Sequence, residues 1–71
     1  MEFGKNLKRL RKVKNISQQR IAKEIGVSQR TVSHYEKGES EPSLLCLCKI
    51  AAFLGVTTDE LLGHVLAGNG N

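Results

Sequence analysis

Apolar residues fall at Phe3, Leu7, Leu10 and Val13, spaced by four, three and three along a stretch otherwise rich in Lys and Arg. Side chains at those intervals share one helical face, so the spacing predicts a first helix from Phe3 to Lys14. Asn15 can stop it, because its short amide tolerates a left-handed backbone. Ser17 then offers a capping oxygen to a second helix, Gln18 to Ile25, with Ile21, Ala22 and Ile25 as its buried face. Gly26 breaks the pattern as a tight turn requiring positive φ would.

Ser28 is placed to cap a third helix, Gln29 to Glu36, which runs out at Lys37-Gly38. The stretch Gly38 to Pro42 reads as a loop, since proline disfavours helix in the residue before it. Ser43 caps a fourth helix through Leu54, with Leu44, Leu47, Ala51 and Leu54 on one face and Ile50 flanking; Gly55 ends it. Thr57 followed by Glu60 has the spacing of a capping box and opens a short fifth helix carrying Leu61 and Leu62. Strand-like alternation, internal repeats and low-complexity blocks are absent from the sequence. The expected fold is therefore all-α, five short helices in one domain over residues 1–66, with residues 67–71 as a mobile tail.

Composition fits one small folded unit. Of the 71 residues, 39% are hydrophobic and 25% charged, which suits a globule better than a disordered segment. The aromatics are Phe3, Tyr35 and Phe53, so the core must be mainly aliphatic. No apolar run approaches the roughly 18 residues of a membrane span. The N-terminus lacks an apolar signal-peptide centre, and a cytoplasmic location is expected. Cys46 and Cys48 sit two apart; on a helix they diverge and are read as small buried hydrophobes. They and the separated His34 and His64 make no metal-ligand set, so no metal or other cofactor is expected.

The net charge of +4 hides an asymmetry. Residues 1–37 carry ten Lys and Arg against Glu2, Glu24 and Glu36, a balance of +7. Residues 38–71 carry Lys49 against Glu39, Glu41, Asp59 and Glu60, a balance of −3. A polyanion would meet the first half.

The stretch from Gln18 to Lys37 gives that charge a shape. Two short helices joined through Ile25-Gly26-Val27 must cross steeply. Ala22 is small where they touch, Gly26 makes the turn, and Ile21, Ile25, Val27, Val32 and Tyr35 fill the wedge. That is the helix-turn-helix arrangement. At about 100° per residue, Gln29, Arg30, Ser33 and His34 lie within roughly 140° of one another, opposite Val32 and Tyr35. Such an arc consists wholly of hydrogen-bonding groups and holds no acid. Gln pairs bidentately with adenine, and Arg with guanine. The starts of the second and third helices, at Gln18 and Ser28, present backbone N–H groups suited to phosphate. Lys37 could reach a further phosphate.

Residues 3–62 resemble the Cro/CI-type helix-turn-helix family, also called the XRE family of phage and bacterial repressors. The resemblance is carried by Leu7-Lys8-Arg9-Leu10-Arg11, Ile16 to Ala22, Ile25 to Ser28, Thr31-Val32-Ser33, Tyr35 to Gly38, Pro42-Ser43-Leu44 and Ala51 to Val56. It implies a five-helix, lambda-repressor-like domain that binds a palindromic operator in double-stranded DNA as a homodimer and regulates transcription, as a repressor. It places Gln29, Arg30, Ser33 and His34 at base-facing positions and Gln18 and Ser28 at phosphate-facing ones; Thr31 and Lys37 are expected to be further phosphate contacts. Ala22, Gly26 and Val32 take structural places. Arg11 and Glu36 resemble a structural ion pair joining the first helix to the end of the third; a plain surface pair is the simpler reading.

Two departures stand out. The loop after the third helix carries Glu39 and Glu41 where basic residues are common. Leu45 and Ala52 stand where charges are usual and, seven apart, form a candidate dimer face or only scattered exposed hydrophobes. No Ser/His/Asp set, paired carboxylate or phosphate-binding glycine loop is present, so neither enzymatic activity nor a small-molecule ligand is expected. The competing function is a protein-interaction module or antitoxin that binds another regulator or a toxin through the fourth and fifth helices.

Overall fold

The computed structural model describes residues 2–63, which form α1 (Phe3–Val13), α2 (Gln18–Ile25), α3 (Gln29–Lys37), α4 (Leu44–Leu54) and α5 (Thr58–Leu62). Among these residues there is no strand. His64 and the expected tail at 67–71 lie outside them. Hydroxyl side chains open α2, α3, α4 and α5: Ser17 accepts from the Arg20 N–H, Ser28 from Thr31, Ser43 from Cys46 and Thr57 from Glu60. The Thr57 N–H in turn donates to the Glu60 carboxylate at 3.0 Å, completing the capping box. Each such cap contributes about 1 kcal/mol, which matters in a domain this small. The stop at Asn15 has φ of 61°.

α3 packs against α1 and α2; α1 and α4 both meet α5, and α2 meets α4. Leu7, Ile21, Val32, Ile50, Leu54 and Leu61 are the fully enclosed side chains, one or more from every helix. Burying each contributes about 1.5–3 kcal/mol. Tyr35 lies in this core, its ring edge-on to Phe3 at 5.9 Å between centroids. Burial, then its hydrogen bond with Cys46, pushes the Tyr35 phenol up to about 12. The far end is tied by Asn6, whose Nδ2 donates to the Leu61 carbonyl at 3.0 Å.

Three expectations need correction. Val13 is exposed rather than part of the buried stripe of α1. The buried arc is centred on Phe3, Gly4, Leu7 and Arg11, and Val13 lies about 160° around the helix from Arg11. Leu44 is 75% exposed, and the buried face of α4 is Leu47, Ile50, Ala51 and Leu54. Leu44 falls instead on an arc with Leu45, Cys48 and Ala52, all of them exposed. Cys48 is thus not a core residue, whereas Cys46 is half-buried against Tyr35.

Candidate nucleic-acid interface

The turn between α2 and α3 is made by Gly26, with φ of 78° and ψ of 33°. Its N–H and that of Val27 both donate to the Ala22 carbonyl at 3.0 Å. The chain therefore turns within two residues, is extended at Ser28 and re-enters helix at Gln29. Ala22 is buried at the crossing, where a longer side chain would separate the helices. Val32 is wholly enclosed on the inner side of α3. Ala22 and Val32 are thus buried, and Gly26 takes the left-handed turn between α2 and α3.

A buried polar network holds the two helices to α1. Arg11 Nε donates to Glu36 Oε2 at 2.7 Å and Nη2 to Oε1 at 3.1 Å, while Nη1 donates to the Ile16 carbonyl at 2.9 Å. Gln18 Nε2 donates to Glu36 Oε1 at 3.0 Å. The Arg11 and Glu36 side chains are only 10% and 4% exposed, so the surface-pair reading is wrong. Burial by itself would raise the Glu36 pKa. Hydrogen bonds from Arg11 and Gln18, the Arg11 charge and the more distant Lys8 outweigh it and hold the carboxyl below its ordinary value. Glu36 stays ionised, with charge-assisted hydrogen bonds on both oxygens.

Beside this network Gln18, one of its members, joins Gln29, Arg30, Ser33, His34 and Lys37 in lining one open recess of about 450 Å³. These are the four expected base-facing residues together with two of the expected phosphate-facing ones. Ser28 and Thr31 stand apart from the recess, at the start of α3, with their hydroxyls 2.9 Å from each other. Gln18 gives one amide N–H to Glu36, which keeps its side chain at the recess edge and leaves the second N–H for another acceptor. Near the far end of α3, the His34 Nε2 lies 3.7 Å from a Glu39 carboxylate oxygen. Leu45, 68% exposed, and Ala52 lie on α4, away from the recess.

Sequence reasoning missed Gly4. A Cβ there would run into the Tyr35 carbonyl oxygen and come within 2.9 Å of that of Glu36. α1 therefore abuts the backbone of α3 directly. A glycine inside an otherwise helical pattern is the signal that could have found it, because it weakens the helix unless close packing requires it. The His34–Glu39 contact was also missed; it depends on how the chain leaves α3, which spacing alone does not give.

Comparison with known proteins assigns this geometry. The helix-turn-helix family model matches residues 7–61. Over 60 residues, 84% of this chain, the sequence is 45% identical to an SPbeta prophage-derived uncharacterized HTH-type transcriptional regulator of Bacillus subtilis. The chain spans 56% of that regulator's length. The fold superposes with a TM-score of 0.79 on the restriction-modification controller protein C.AhdI of Aeromonas hydrophila, at 33% identity, covering 84% of this chain and 91% of that one. It superposes at 0.82 on the DNA-binding domain of the P22 c2 repressor, at 29% identity, covering 96% and 90% of the two chains. A buried inner frame, a polar outer face on α3 and these likenesses agree: the chain belongs to the XRE-type helix-turn-helix family of DNA-binding transcription regulators.

Proposed function

We propose that this chain reads a specific operator by laying α3 in the major groove of duplex DNA. The observation that carries this reading is the outward arc of α3, where Gln29, Arg30, Ser33 and His34 converge on one open recess. Gln29 and Arg30, in the first turn, reach furthest toward base edges, where they suit adenine and guanine. Ser33 and His34 follow deeper along the helix. Phosphates on either side are met by the first-turn N–H groups of α2 and α3, by the Gln18 amide, by the Ser28 and Thr31 hydroxyls, and by the Lys37 ammonium. Those contacts set register, and the bases set sequence. The role is binding alone, without catalysis, and repression follows if the operator overlaps a promoter. It acts where the DNA is, in the cytoplasm.

Two copies on a palindrome would pair through the exposed apolar arc of α4 that carries Leu45 and Ala52. Selection of binding sites from a random duplex pool, combined with solution mass on the selected duplex, tests both points. The expected result is an enriched sequence of two inverted half-sites, about one helical turn apart, bound by two chains. Recovery of no enriched sequence would overturn base reading. Recovery of a single unpaired half-site bound by one chain would overturn the dimer.

A further inference from the structure

His34 of the recess lining has an acid, Glu39, for a neighbour, and the architecture gives that acid no structural reason to be there. The N–H of Glu39 donates to the His34 carbonyl at 2.9 Å, and that of Gly38 to the Tyr35 carbonyl at 3.1 Å. This pair of bonds ends α3 and fixes the Glu39 backbone over the last turn. Its side chain turns back to His34, with the carboxylate oxygen 3.7 Å from Nε2. A carboxylate at a helix C-terminus opposes the negative end of the helix dipole, so its position weakens the helix rather than supporting it. Both side chains remain open to solvent, at 38% for His34 and 56% for Glu39. The contact is too long for a good hydrogen bond and is readily exchanged for a better acceptor.

We propose that Glu39 is an affinity-setting residue that competes with DNA for His34. This rests on the base-reading assignment of α3. In the free protein the Glu39 carboxylate lies against the Nε2 edge of His34, a residue of the recess lining. Duplex DNA must displace it to engage His34, and phosphates near the end of α3 meet a like charge. Binding is held down without any loss from Gln29 or Arg30.

The test is a double-mutant cycle in Glu39→Gln and His34→Ala, with affinity read on the duplex selected from a random pool. Glu39→Gln keeps the shape and removes the charge. At moderate salt it is expected to tighten binding roughly two- to fivefold, the scale of one or two charge repulsions across solvent. In the His34→Ala background that gain should shrink to less than half. No gain from Glu39→Gln, or the same gain with and without His34, would overturn the competition. Arg30→Ala, measured alongside, separates the two levels. If it loses affinity while the cycle shows no coupling, only the role of Glu39 falls. If it binds as well as wild type, the base-reading assignment falls and takes this inference with it.

Discussion

The side of α3 that faces the protein carries Val32, Tyr35 and the Glu36 carboxylate, all enclosed, with Tyr35 set against Phe3 and Glu36 paired with Arg11. The side that faces away carries Gln29, Arg30, Ser33, His34 and Lys37, open to solvent along one recess. One helix of nine residues therefore has an inner face whose contacts hold the fold and an outer face from which the fold asks little. Substitutions on the two faces should fail in different assays. Inner changes should unfold the domain; outer ones should leave it folded and unable to bind.

The largest effect is expected from Glu36→Gln, which strands the Arg11 guanidinium in a buried site. Removing one partner of such a pair costs about 3–5 kcal/mol, a large share of the stability of a domain this size. Chemical denaturation followed by helical circular dichroism would measure it, and a loss under about 1 kcal/mol would mean that the pair is solvated after all. The same carboxylate predicts an acid dependence. Its folded pKa lies below the ordinary 4.5, so the stability it lends is complete above that value. It disappears as pH falls through the lowered folded value. Denaturation midpoints followed into acid should show that decline in the wild type, with the Glu36 contribution absent from Glu36→Gln.

Next is Gly4→Ala, which places a methyl group against the backbone of Tyr35 and Glu36. Overpacking of this kind costs about 1–3 kcal/mol, and a thermal melt should reveal it. On the outer face, Gln29→Ala or Arg30→Ala should each cost about 1–3 kcal/mol of operator affinity and relax the preference at one base position. Their melting temperatures should stay at the wild-type value; a clear drop would blur the division between faces. The mildest expectation is for Lys37→Ala. Affinity for all duplexes should fall together, and the slope of log affinity on log salt should shrink by about one.

Much of the frame was legible from spacing. Capping hydroxyls at Ser17, Ser28, Ser43 and Thr57 announce helix starts because their chemistry is local. Gly26 and Asn15 announce turns for the same reason. Val13 and Leu44 misled because helical spacing places residues on a wheel but does not say which arc meets a neighbour. Val13 was assigned by continuing an apolar series, while the burial of Arg11 turned the arc the other way. Leu44 opens α4 on the arc shared with Leu45, Cys48 and Ala52, away from the side that meets the core. Lys37 shares the arc of α3 by helical spacing, but the gathering of Gln18 with it depends on the crossing of α2 and α3. No pattern within one helix encodes that, and the Arg11–Glu36 pairing was reachable only by family resemblance.

Glu36 also links parts of the molecule that would meet different parts of a duplex. Because its carboxylate is gripped by Arg11 and by Gln18, the start of α2 and the end of α3 cannot drift independently. The outward side chains of α3 proposed to read bases share none of that restraint. A lineage could thus exchange them one at a time and acquire a new operator while keeping the same chassis.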